Sequence, residues 1–229
     1  MSYVAGVKSC RFGWLAVIVQ IDQDVISEEH RLCSSLREVL SLSPRPAVFA
    51  FNVPIGLLEE PARGGRECDR QVRRILGKSR GSSVMSPPPR SSLDCPSFEQ
   101  AHQWGLSRQA FSILPRAREM EQIINPERQA WIKEAHPEMS FFMMDGLKPV
   151  EERRNTVPGR DVRMSLLAQT FHQVEQGLTA FPGKDVTKDD VLDAYAAAWT
   201  ALRVFGGEAG CVPEVPSCDS RGVEMAIWY

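Results

Sequence analysis

Short β-type runs lead this chain and amphipathic helical patterns fill the rest, an order that predicts a single α/β domain with a mixed sheet flanked by helices. Three observations carry that reading. Residues 3–7 and 14–21 are apolar runs, the second rich in β-branched side chains, with turn-compatible Ser and Gly between them. Residues 47–51 are wholly apolar and stop at Asn52-Val53-Pro54, the pattern of a strand buried on both faces. Residues 188–205 repeat Val191, Leu192, Tyr195, Ala198, Trp199, Leu202 and Phe205 at helical spacing, behind a Thr187/Asp190 capping box.

The remaining elements follow in order. A third strand is expected to begin near Val25 after a turn at residues 22–24. Leu36, Val39 and Leu40 predict a short helix that Ser43-Pro44 terminates. Val72, Ile75 and Leu76 give residues 66–76 one apolar stripe, with Gly77 as its C-cap, and residues 78–96 read as loop. Ser97 and Gln100 have capping-box spacing, and Ser107 is placed to cap a longer helix reaching 117–124 that Pro115 should begin or kink. Residues 130–135 read as a strand, and Pro137 opens a helix carrying Met139, Phe142 and Met143. Leu166, Leu167, Phe171 and Val174 predict one helix over 160–176, ended by Gly177.

With 229 residues, 43% hydrophobic and 24% charged, the chain is not of a disordered, collagen-like or coiled-coil class. Its formal net charge of −2 supplies no global field toward nucleic acid or membrane, so a polyanion must be met by a local patch. The start does not read as a signal peptide, no apolar run approaches the ~20 residues needed to span a bilayer, and no membrane partner is expected. Six scattered cysteines without a Cys-x-x-Cys pair suit reduced thiols and a cytoplasmic location; a metal reading of Cys211 and Cys218 is weak.

Common catalytic motifs are missing. Leu76-Gly77-Lys78-Ser79 resembles the tail of a phosphate-binding P-loop, but Val72 stands where the first glycine is required and a helix precedes it instead of a strand. The basic stretch from Arg63 to Arg90 has eight cations against Glu67 and Asp69. Arg66, Arg70, Arg73 and Arg74 lie at helical spacings, and with Ser82, Ser83 and Arg90 they form a candidate phosphate site; the alternative is a solvated helix face. Glu134-Ala135-His136-Pro137-Glu138 sets three polar side chains at alternate positions where a strand meets a helix, and Asp189, Asp190 and Asp193 open the long helix. Carboxylates gathered from distant segments can hold Mg²⁺ or Mn²⁺, whereas aspartates near a helix start also serve as caps, and His136 equally suits a structural role.

Taken together, these segments resemble the domain of unknown function family 429, a family described as predicted nucleases with an RNase H-like fold. The resemblance runs through Gly6-Val7-Lys8-Ser9-Cys10-Arg11-Phe12-Gly13-Trp14, Asn52-Val53-Pro54-Ile55-Gly56-Leu57, Cys68-Asp69-Arg70 with Leu76-Gly77 and Ser82-Ser83-Val84, Glu134-Ala135-His136-Pro137-Glu138, Asp189-Asp190-Val191-Leu192-Asp193-Ala194, and the terminal Ile227-Trp228-Tyr229. It implies one RNase H-like domain over 1–229 with a basic helix-loop insertion at about 61–128. By position it implies a catalytic cluster of Lys8, Asn52, Glu134, His136, Glu138, Asp190 and Asp193, with Glu138, Asp190 and Asp193 as metal ligands. The expected activity is two-metal phosphodiester hydrolysis on nucleic acid or another phosphate compound.

Two positions depart from the family pattern: Lys8 and Asn52 stand where it has aspartates. An ammonium ~4 Å from a divalent ion implies repulsion of ~8 kcal/mol at an effective dielectric near 20. Two-metal chemistry should therefore be weakened or altered. Lys8 could pair with Glu138 or Asp193 as a fixed cation, act as base or phosphate binder, or carry its ammonium out to water. Our expectation is the first. The alternatives to a nuclease are a silent relative that binds nucleic acid, nucleotide or protein, and a metal-independent enzyme that uses Lys8 on a small anionic substrate.

Overall fold

The structure is a computed structural model that describes residues 1–22, 25–181 and 183–229. Three strands come first: β1 (Ser2–Ser9), β2 (Trp14–Asp22) and β3 (Val25–Cys33), paired antiparallel in sequence. Part of the turn expected at 22–24 lies outside the described residues. Helix α1 (Leu36–Leu40) is capped by the Ser35 hydroxyl and leads to β4 (Val48–Asn52), which pairs parallel to β1. Four helices then intervene: α2 (Glu67–Arg80), α3 (Phe98–Gln103), α4 (Arg108–Ser112) and α5 (Leu114–Ile123). Strand β5 (Ile132–Glu134) returns parallel to β4, so the five-stranded sheet runs β3-β2-β1-β4-β5.

Helices α6 (Pro137–Met144), α7 (Val157–Leu167), α8 (Val174–Ala180) and α9 (Lys188–Gly206) complete the layers. A small antiparallel pair, β6 (Cys211–Cys218) and β7 (Glu224–Trp228), closes the chain, and a parallel bridge from Trp228 to Ala135 joins it to the end of β5. The result is a mixed α/β single domain. Alternation along the strands gives the sheet two apolar faces. Val4, Leu15, Val17, Val19 and Ala50 meet α9, while Ala5, Trp14, Ala16, Ile18, Phe49 and Phe51 meet α1 and α5. No helix among the described residues is long and apolar enough to cross a membrane.

Four local expectations are corrected. The helix from Arg66 does not end at Gly77: that residue takes φ 63° as a kink, the helix resumes to Arg80, and short 3₁₀ turns occupy part of the expected loop. The helix expected from Ser107 to 124 is two: Ser107 caps α4, and Pro115 sits in the first turn of a separate α5. The helix over 160–176 also divides, because the buried Glu28 of β3 accepts the backbone N–H groups of His172 and Gln173 at 2.9 and 2.8 Å, starting α8 anew. Gly177 lies inside α8, where a Cβ would come within 2.6 Å of the His30 ring. The expected strand at 130–135 shortens to β5, preceded by a 3₁₀ turn at Arg128–Ala130.

Candidate functional site

Parallel pairing brings three strand ends together. Lys8 lies opposite Asn52 in the β1–β4 register, and Glu134 lies opposite Phe51 in β4–β5. Helix α6 begins three residues past Glu134 and presents Glu138; α9 crosses the same sheet edge and presents Asp193. Lys8, Asn52, Glu134, His136, Glu138 and Asp193 thus line one chamber of about 130 Å³. Asp190 stands apart: its carboxylate accepts from the backbone N–H and hydroxyl of Thr187 as the helix cap.

The chamber is a set of satisfied ion pairs. Lys8 Nζ donates to Asn52 Oδ1 at 2.9 Å and sits 3.6 Å from Asp193 Oδ2. Arg154 donates to that same carboxylate oxygen at 2.9 Å. Both oxygens of Glu138 accept from Arg163, at 2.7 and 2.8 Å, and Arg80 lies 3.9 Å away. Glu134 accepts twice from Arg66, at 2.7 Å each, and from the Ile55 N–H at 2.6 Å. Asp69 holds the far side of Arg66. Burial works against the Arg66 guanidinium, but Asp69 and Glu134 outweigh it and hold its pKa well above the usual value. Four carboxylates therefore face five cations. Among the described residues, no three His, Cys, Asp or Glu side chains are grouped to hold a metal ion.

His136 is the one neutral titratable group here. Burial pushes its imidazole down to about 4, against the nearby charge of Asp193, and its Nδ1 is buried with no hydrogen-bond partner. Cys211 and Cys218 stand at opposite ends of β6, and all six cysteines are free thiols.

Six of the eight cations of the basic stretch meet carboxylates or carbonyls of the protein itself. Arg66 is buried in the pair just described, and Arg70 and Arg74 bind Glu67. Arg73 donates to the Val84 carbonyl at 2.7 Å, to Ser86 Oγ at 3.0 Å and to the Gly64 carbonyl. Arg90 clamps Glu59, Glu121 and Asp219. Ser83 lines the chamber, with its hydroxyl donating to the Arg80 carbonyl, and Ser82 lies outside in a neighbouring groove. Arginines inside a fold must find carboxylates or carbonyls, so a basic run read from sequence cannot distinguish an interior clamp from a phosphate surface.

Sequence reasoning missed Arg154 and Arg163, which neutralise Asp193 and Glu138. The available signal was the spacing of Arg154, Arg160 and Arg163 on a segment following Glu138; Arg160 meets Asp189 at 2.7 Å.

In comparison with known proteins, a family model described as "Protein of unknown function (DUF429)" matches residues 6–217. No curated protein and no solved structure gives a match.

Proposed function

The chain belongs to the DUF429 family, and from that premise we propose that its site binds a small phosphate-bearing ligand through fixed cations and has lost two-metal phosphodiester hydrolysis. The strand order β3-β2-β1-β4-β5, with its first two pairings antiparallel and its last two parallel, supports the RNase H-like sheet that the sequence resemblance implies. One observation carries the reading: Lys8 Nζ lies between Asn52 Oδ1 and Asp193 Oδ2, inside the acidic cluster. The donor set does not fit Mg²⁺ or Mn²⁺. Asn52 and Lys8 have replaced two carboxylates, and Glu134, Glu138 and Asp193 each accept from a cation already.

The same groups suit an anion. An ammonium has three donors, and Lys8 directs one at Asn52 and one toward Asp193, which leaves one for a ligand oxygen. The Arg154 side chain is 43% exposed; it bonds Asp193 through Nη2 and lies 3.8 Å from Asp189 through Nε, which leaves Nη1 to reach a ligand. Ser9 and Ser83 complete a polar rim. The chamber's volume equals that of about four waters, the scale of one phosphate group.

Calorimetric titration tests this. Wild type should bind inorganic phosphate, more weakly as salt rises, and should show no manganese-dependent cleavage of a phosphodiester. Lys8→Met should lose at least tenfold in phosphate affinity. The double variant Lys8→Asp/Asn52→Asp should exchange phosphate binding for manganese binding. Two tightly bound manganese ions in wild type, or manganese-dependent cleavage by it, overturn the proposal.

A further inference from the structure

A groove of about 680 Å³ lies beside the chamber, within the size range of small-molecule sites. Val84, Met85, Pro87 and Gln109 line both spaces, so a ligand seated in one passes over this wall into the other. The wall is preformed. Arg73 pins it through the Val84 carbonyl and Ser86 Oγ, and three consecutive prolines follow Ser86.

The groove differs from the chamber in chemistry. Its far side carries Trp104, Leu106 and Ala110, and the Trp104 indole is 43% exposed, whereas the other four tryptophans are buried or half-buried. Trp104 holds its place through the backbone as the C-cap of α3, where its N–H reaches the Ala101 and His102 carbonyls, and its ring is free of any hydrogen bond or ring contact among the described residues. Arg63, exposed on the same groove, has no carboxylate partner among the described residues. A flat aromatic face, an available guanidinium and the Gln109 amide stand beside a chamber of phosphate size.

Building on the reading above, we infer that the groove is a nucleobase subsite: the ligand is a phosphorylated nucleoside, its phosphate at Lys8 and Arg154 and its base stacked on Trp104. Division of labour follows from physics. The cations hold the phosphate, with strong dependence on salt; the indole holds any base by its π-face, and so favours aromatic ligands over bare phosphate without strong sequence preference. The groove accommodates a base and sugar, which the chamber does not.

The test compares inorganic phosphate, ribose 5-phosphate and adenosine 5′-monophosphate on the full chain, by calorimetry and by tryptophan fluorescence. The nucleotide should bind at least tenfold tighter than ribose 5-phosphate and quench emission. Trp104→Ala should abolish that preference and the quenching, and Trp104→Phe should restore most of the preference. Equal affinity of wild type for the two sugar phosphates, or a preference that survives Trp104→Ala, overturns the base subsite alone. Failure of wild type to bind any of the three ligands overturns the phosphate site itself, and the subsite with it. A 5′-phosphorylated tetranucleotide separates sources: binding no tighter than the mononucleotide assigns free nucleotide, and tenfold tighter binding assigns a strand end, both with the base subsite intact.

Discussion

His136 Nδ1 is buried without a partner, and its ring is held neutral because a charged imidazolium there would lose its hydration beside Arg154. Its pKa falls from 6.5 to about 4 on folding. A histidine lowered in this way contributes stability that is fully present above the unfolded value. That stability drains as pH drops toward 4, and below that both states bind the proton. The full difference corresponds to about 3 kcal/mol. Urea unfolding of wild type should therefore show a fall in stability between pH 6.5 and 4, and His136→Gln should flatten this part of the profile. An unchanged profile in His136→Gln would sink the assignment. Of the six residues that meet in the chamber, Glu134, His136, Glu138 and Asp193 stood out by spacing, whereas Lys8 and Asn52 were named only through the family resemblance. The charge state of the cluster was not legible, because a carboxylate reads the same whether a metal or an arginine faces it.

At the scale of elements, the decisive contact is α9 on β1. Ala194, Ala196, Ala197, Ala198 and Ala201 are fully buried and leave the helix a low profile. Gly6 lets the backbone close in: a Cβ there would lie 2.0 Å from Ala198 N and 2.2 Å from the Ala194 carbonyl oxygen. Both atoms are backbone, so the helix itself would have to move, and with it Asp193. Gly6→Ala should cost about 3 kcal/mol or more. A variant with wild-type thermal stability would show that the helix can retreat without penalty. Elements with local causes were readable in sequence: the Thr187/Asp190 cap of α9, Pro137 at the start of α6, and the apolar runs of β1, β2 and β4. The division between α7 and α8 was hidden because its cause, the Glu28 carboxylate, lies over 140 residues away.

Across the whole molecule, Arg90 is the tie that joins three distant regions. It meets Glu59 in the loop after β4, Glu121 on α5 and Asp219 in the β6–β7 turn. The Asp219 side chain is fully buried, and it also accepts the backbone N–H groups of Leu57, Arg221 and Val223. Burial opposes the charge on Arg90, yet its carboxylates keep its pKa above the ordinary arginine value. Arg90→Ala would leave Glu121 to Arg221 alone and Asp219 to its backbone N–H groups, and should cost about 2 kcal/mol in urea unfolding, while phosphate affinity at the chamber stays as in wild type. A loss of phosphate binding without loss of stability would return Arg90 to the phosphate role its place in the basic stretch suggests. By itself, the sequence determined the α/β class, most strand positions and the presence of Lys8 and Asn52 where the first and fourth strands end, since periodicity, capping and residue identity are local properties. Only the tertiary structure decided that Arg66, Arg80, Arg154 and Arg163 occupy the acidic cluster. An ion pair forms where packing brings two charges within a few ångströms, and no spacing along the chain encodes that approach.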